Sequence, residues 1–249
     1  MDTLEIFFEQ DNAPYRWTKQ KKTSDSMRAN YLDLLAEDKI KDATSIRMHG
    51  GEPFFKNKIE KYIEEANEQA LITIETNGSK IDCAPIKKFQ NVVVHLKIDA
   101  VGPLQEYIRP GIEWLDIEKT ISKLKTNNIK FAIKPFLHVL NILSITKLKQ
   151  WCDDNSYAMI DPELLKTPEE LKPYNLPYQL KSQVPVEYKQ AVERQPTADP
   201  LNLINDIDRE RRSSVKSVIP EWQQVYDNLH WQQFDDLKKI DKEMEKYVG

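Results

Sequence analysis

The chain has 249 residues, 40% hydrophobic and 31% charged, which is enough apolar material for a substantial core, so wholesale disorder is excluded. Its 36 basic and 40 acidic side chains give a net charge of −4, which leaves no broad electrostatic footprint for nucleic acid. No apolar run approaches the roughly 20 residues of a membrane-spanning helix, the start Met1-Asp2-Thr3-Leu4-Glu5 is no signal peptide, and two distant cysteines exclude a disulfide scaffold, so a soluble cytoplasmic protein is expected.

Leu4–Phe8 is a short β-prone run, and Ser26–Glu37 places apolar residues at helical spacing. Ser45–His49 is the next strand and runs into Gly50-Gly51. Lys58–Ala70 carries Ile59, Ile63, Ala66 and Ala70 along one helix face. Leu71–Thr76 and Asn91–Ile98 are strands rich in Ile and Val; Asp116–Asn127 is helical, with Ile117, Ile121 and Leu124 on one side. Ile129–His138 reads as a fifth strand, Ser144–Asn155 as a helix capped by Ser144, and Tyr157–Ile160 as the start of a sixth strand. Repeated βα units mean a parallel sheet, because parallel neighbours need a crossover. Seven of the 14 prolines, Pro162 to Pro200, crowd one segment. The domain reading is therefore a structured part over 1–165, a Pro-rich connector over 166–200 and a helical C-terminal extension over 201–249, where Phe234, Leu237, Met244 and Tyr247 predict a final amphipathic helix.

Alternation within the strands carries the first functional hint. Val92, Val94, Leu96 and Ile98 form one face of their strand, while Val93, His95, Lys97 and Asp99 form the other. The same parity sends Ile46, Met48, Ile72, Ile74, Ile129, Phe131 and Ile133 outward beneath the helices. It leaves Arg47, His49, Thr73, Glu75, Asn77, Lys134, Phe136 and His138 on the inner side. Buried charges persist only when paired or matched to a ligand. Either these groups pair among themselves, Glu75 with Lys97 for instance, or they line a pocket for a polar ligand carrying both charges. Their place at the carboxyl ends of the strands, where α/β sheets bind ligands, favours the pocket. His49, His95 and His138 face the same way, but hydrogen-bonded structure is the commoner role for such histidines, and no metal site is assigned.

Three strings close successive strands. Met48-His49-Gly50-Gly51-Glu52-Pro53 places two glycines, which let backbone approach a ligand, beside a carboxylate and a strand-stopping proline. Glu75-Thr76-Asn77-Gly78 ends the next strand, and Lys97-Ile98-Asp99 the one after it. In order and spacing these strings resemble the radical S-adenosylmethionine (radical SAM) family. The resemblance rests on Gly50-Gly51-Glu52-Pro53, on Thr76-Asn77-Gly78, and on Lys97-Ile98-Asp99 where the family often has Ser-Ile-Asp. Tyr107-Ile108-Arg109, Phe136–Leu140 with Asn141, and the ending Phe234–Met244 resemble the subgroup labelled twitch domain-containing.

The resemblance implies an α/β fold, a partial (βα)6 TIM-type barrel with parallel strands plus a C-terminal helical extension, holding S-adenosylmethionine across the strand ends. By carry-over, Gly50, Gly51 and Glu52, followed by Pro53, would receive the amino group of the cofactor. Lys97 and Asp99 would lie near its ribose, Asn77 near the same molecule, and Arg109 would meet its carboxylate. Glu75 completes the expected set of cofactor-binding residues, and no catalytic residue is assigned. The chain departs from the family after the first strand. There a Cys-x3-Cys-x2-Cys loop should hold a 4Fe–4S iron–sulfur cluster, but Phe8-Glu9-Gln10-Asp11-Asn12-Ala13-Pro14-Tyr15-Arg16-Trp17 contains no cysteine. Iron–sulfur ligation needs thiolates, and Cys83 and Cys152 cannot replace three of them; a 4Fe–4S cluster is not expected from this chain alone. Three functions follow: a degenerate or accessory member that binds S-adenosylmethionine without radical chemistry, an active enzyme whose cluster comes from a partner polypeptide or a missing segment, and a non-enzymatic interaction protein with a vestigial pocket.

Overall fold

A computed structural model of the chain describes residues 3–8, 37–50, 52–54, 58–64 and 66–228. Gly51, residues 9–36 with nearly all of the helix expected at Ser26–Glu37, His230 and the final helix expected at Phe234–Met244 lie outside the described residues. The chain forms two compact units. One comprises the residues up to Leu137 together with Ser144–Leu165; the other comprises His138–Leu143 and the residues from Lys166 onward.

The first unit is built on a five-stranded sheet in which β1 (Thr3–Phe8), β2 (Ser45–Gly50), β3 (Leu71–Thr76), β4 (Asn91–Leu96) and β5 (Lys130–Ile133) are neighbours in chain order. Every pair is parallel, as crossover connections require. Between the strands come α1 (Glu37–Asp42), α2 (Lys58–Glu64), α3 (Pro103–Ile108) and α4 (Trp114–Thr126), and α5 (Ile145–Asp154) follows β5. The parity expected from the sequence holds: Ile46, Met48, Ile72, Ile74, Val94, Leu96, Ile98 and Ile133 are all fully buried. At about 1.5–3 kcal/mol for each such side chain, this outer face is the main stabilising layer of the unit. Ile117, Ile121 and Leu124 of α4 are buried as its stripe predicts. Ser144 occupies the N-cap of α5 without a side-chain cap hydrogen bond.

Two elements differ from expectation. The fifth strand breaks after Lys134, whose N–H still reaches the Leu96 carbonyl at 2.8 Å. Pro135 then has no N–H to donate, and the chain resumes as β6 (Phe136–Leu137), which pairs in parallel with β7 (Glu163–Leu164). The sixth strand expected at Tyr157–Ile160 is reduced to one parallel bridge, Ile133 with Met159, with hydrogen bonds from Ile133 N to Ala158 O and from Ile160 N to Ile133 O, both 2.8 Å.

The second unit contains short turns and helices. Residues 166–200 form short helical turns, including α6 (Tyr178–Lys181) and a seven-residue 3-10 helix over Val186–Val192, with Leu171, Leu176 and Leu180 fully buried. Glu169 is their staple: its Oε1 accepts from the hydroxyls of Tyr174 and Thr197, each at 2.5 Å. Beyond lie α7 (Leu201–Arg211), burying Leu203, Ile204 and Ile207, and α8 (Val215–Val218). The helical C-terminal end is thus present. Among the described residues no helix is long and apolar enough to cross a membrane.

Candidate functional site

Strand register decides which inner-face groups meet. Glu75 pairs with His95 across β3 and β4, and Arg47 pairs with Thr73 across β2 and β3, so Arg47 and Glu75 lie diagonally on one face, within reach of long side chains. The Arg47 guanidinium holds Glu75 Oε1 through both Nε, at 3.2 Å, and Nη2. Lys134 Nζ reaches the same oxygen at 2.8 Å and Lys97 Nζ reaches Oε2 at 3.2 Å. Lys134 also contacts Glu163 of β7 at 3.0 Å. One carboxylate therefore serves three cations contributed by β2, β4 and the end of β5.

Burial pushes the Glu75 carboxyl up, but the hydrogen bonds from Arg47 and Lys134 and the charge of Lys97 outweigh it and bring it down to about 2. Hydrogen bonding to Glu75 raises Arg47. Lys97 moves the other way: burial lowers it, the Arg109 charge adds to that, and Glu75 only partly compensates. His95, lowered chiefly by burial, keeps a buried Nδ1 with no hydrogen-bond partner.

A second group lies at the ends of the strands. Glu52 leaves the β2 turn and reaches over the end of β3. Its Oε1 accepts from the Thr76 hydroxyl at 2.5 Å and its Oε2 from the Asn77 N–H at 3.0 Å. Burial raises this carboxyl, opposed by those same hydrogen bonds. The Asn77 side chain folds its own turn by accepting from the Ser79 N–H at 2.8 Å, and Gly78 follows at φ 78°, a left-handed conformation that glycine adopts without penalty.

Asp99 forms the third group. Its Oδ2 binds Arg109 Nε at 2.7 Å, and its Oδ1 accepts the Phe136 N–H at 2.7 Å. The carboxylate thus takes a backbone donor just past Pro135, where the strand is broken. Sequence reasoning missed Gln105, fully buried on α3, whose Oε1 accepts from the N–H groups of both Asp99 and Ala100 at 2.8 and 3.0 Å. Its only sequence signal is its place in the first turn after Gly102-Pro103.

Of the expected residues, these bonds join Glu52 with Asn77, Glu75 with Lys97, and Asp99 with Arg109, in three groups. Gly50 ends β2, Pro53 is buried beside Glu52, and Gly51 lies outside the described residues. Arg47 and Lys134, inner-facing by parity but not assigned to the site, belong to the network. His138 is not brought to it: the residue starts a turn in which its own N–H donates to Asn141 Oδ1 at 2.9 Å and its Nδ1 accepts the Leu140 N–H at 3.2 Å. No group of three His, Cys, Asp or Glu residues placed to hold a metal occurs among the described residues. A cavity of about 230 Å³ opens at the opposite ends of the strands, among Leu71, Asn91, Asn128 and Lys130, and involves none of these groups.

The donor set suits a ligand carrying both charges. A carboxylate has about four acceptor sites, and Glu52 uses three of them, on the Phe54 and Asn77 N–H groups and the Thr76 hydroxyl, while Lys97 and Arg109 supply cations nearby. The thiols do not suit an iron–sulfur cluster. Cys83 and Cys152 are buried, and burial raises both, Cys152 to about 12, whereas iron binds thiolates.

No protein-family model matches the chain, and no curated protein does. Solved structures do match. Streptococcus suis SuiB bound to S-adenosylmethionine aligns over 84% of this chain and 48% of its own, with 14% identity and a TM-score of 0.52. A second structure of Streptococcus suis SuiB aligns over 85% and 47%, with 15% identity and a TM-score of 0.51. Native anSMEcpe with bound AdoMet and Cp18Cys peptide covers 64% and 50%, at 16% identity and a TM-score of 0.47. The chain spans about half the length of the solved structures it matches. The SuiB structures share its fold.

Proposed function

We propose that this chain binds S-adenosylmethionine at the carboxyl ends of β2, β3 and β4 and carries no iron–sulfur cluster of its own, acting as a degenerate or accessory member of the radical SAM family. The observation that carries the reading is the reach of Glu52 from the Gly-Gly-Glu-Pro turn to Thr76 and Asn77, which ties together two motifs 24 and 25 residues apart. The fold it shares with S-adenosylmethionine-bound SuiB adds support, as does the order of the three strand-end motifs.

In this reading the Gly50-Gly51 backbone and Glu52, buttressed by Pro53, accept the amino group of the methionine moiety, the one acceptor site that Glu52 leaves open taking an N–H donor. Arg109, oriented by Asp99, meets the carboxylate, while Lys97 and Asp99 border the ribose and Asn77 shapes the turn beneath it. Glu75 holds Lys97 in place. The cofactor supplies a sulfonium that radical chemistry must reduce, and two buried thiols offer no reducing centre. The subgroup resemblance, through Tyr107-Ile108-Arg109, belongs to the same proposal. Where a cluster is needed, a partner polypeptide bearing cysteines would have to bring it.

Isothermal titration of the full chain with S-adenosylmethionine tests this. Heat of binding is expected, and Glu52→Ala and Asp99→Ala should each weaken it by about 1–3 kcal/mol, the scale of one lost charge-assisted contact. Silence at millimolar ligand would end the proposal. It would leave the vestigial pocket, which the saturation of Glu75 by three cations favours.

A further inference from the structure

The two edges of β4 do not begin together. On one side Asn91, its first residue, pairs with Leu71 of β3; on the other its first partner is Lys130 of β5, opposite Val93. The sheet therefore carries a step at the amino ends of its strands. The chain reaches β5 through Asn127 and Asn128, the latter at φ 54°, and it reaches β4 through the turn over 84–88. The step between them opens into the cavity of about 230 Å³.

Its lining separates into an apolar wall and a polar rim. Ile86, Phe89 and Ile129 are buried and form the wall, and Leu71 stands beside them 44% exposed. The side chains of Gln90, Asn91 and Asn128 make no hydrogen bond among the described residues, so their amides are available to a ligand. Lys87 and Lys130 are exposed and carry no salt bridge among the described residues. No carboxylate among those residues lines the cavity, although the chain as a whole has a net charge of −4. The carbonyl end of α4 lies at Asn127, and Lys123 and Lys125 in its last turn offset the partial negative charge there.

We propose that this cavity is a second ligand site, taking a small monocarboxylate with an apolar body of about one ring. The body lies on Ile86, Phe89 and Ile129 and covers Leu71, while the carboxylate faces the Lys87 and Lys130 ammonium groups and accepts from the rim amides. The volume sets the size, since clefts for drug-sized ligands measure roughly 300–1,000 Å³. Exposed ion pairs are weak, so the two lysines select the charge and the apolar wall supplies most of the affinity.

The experiment titrates benzoate into the nitrogen-15-labelled full chain and follows amide shifts in proton–nitrogen correlation spectra. Shifts are expected at residues 90–93 and 127–130. Benzamide, which has the same shape without the charge, should bind about three- to tenfold more weakly, the combined worth of two exposed ion pairs, and high salt should narrow that gap. Replacing both cations, Lys87→Gln with Lys130→Gln, should abolish the gap and leave the benzamide shifts in place. No shift at these residues at millimolar benzoate, shifts spread over exposed lysines elsewhere, or equal binding of benzamide would overturn the proposal. All three results are read on the unaltered chain, so they stand even if the variant fails to fold. The titration needs no S-adenosylmethionine and reads the opposite ends of the strands, so its failure is independent of the cofactor reading.

Discussion

Glu75→Gln keeps the volume of the side chain and removes the one negative charge that Arg47, Lys97 and Lys134 share. The folded carboxyl sits at about 2 against an ordinary 4.5, a depression of 4.5 − 2, or about 2.5. At about 1.4 kcal/mol per unit this amounts to roughly 3 kcal/mol, within the range of about 3–5 kcal/mol for breaking a buried ion pair. Because the folded value lies below the unfolded one, the contribution is complete above about pH 4.5 and is lost as pH falls towards 2. The variant should therefore be weaker at pH 7 and should show a flatter stability profile across the acid range. Urea unfolding followed by far-ultraviolet circular dichroism at a series of pH values reads both effects. With a slope of about 2–3 kcal/mol per molar, the midpoint at pH 7 should drop by roughly 1 M. An unchanged midpoint at pH 7, with parallel acid profiles for the two proteins, would show that the three cations do not depend on Glu75.

Gln105→Ala leaves the Asp99 and Ala100 N–H groups without their acceptor, at about 1–3 kcal/mol for each buried donor orphaned. Hydrogen exchange at these two amides should quicken markedly, and unchanged protection would remove Gln105 from any positioning role. The thiols of Cys83 and Cys152 should stay inert to a disulfide exchange reagent in the native chain and react fully in urea. Rapid native reaction would show an accessible thiolate and reopen the question of iron ligation.

The direction in which each side chain points was legible in the sequence, because a period of two needs only the strand boundaries. It correctly sent Ile72 and Ile74 to the core and Glu75 inward. The bonds those residues make were not legible. Arg47 and Glu75 are 28 residues apart and Glu75 and Lys134 59 apart, and their meeting depends on the register of three strand pairs, which alternation does not specify. The Asp99 carboxylate on the Phe136 N–H, 37 residues away, was invisible for the same reason. The fifth strand was read five residues past its end at Ile133 because Ile129–His138 keeps its alternation through Pro135, although a proline cannot donate to a ladder. The sixth strand was read from Tyr157–Ile160, where local β propensity exceeds the pairing that Ile133 and Met159 provide.

The carboxylates of the inner face divide by how they are used, and the division orders the experiments. Glu75 spends both oxygens on cations and is nearly fully buried, so its charge goes into stability and little of it remains for a ligand. Glu52 spends its oxygens on uncharged donors, a hydroxyl and backbone N–H groups. Burial raises its carboxyl against those hydrogen bonds and the charge of Lys97, and an approaching ammonium would add a charged hydrogen-bond donor to them. A charged partner is worth roughly twice a neutral one, and Glu52 therefore has more to gain from a ligand than Glu75 has. Glu75→Gln should consequently act on unfolding more than on binding, and Glu52→Ala on binding more than on unfolding. If both variants moved the same observable by the same amount, the inner face would be a single structural network with no separable binding end.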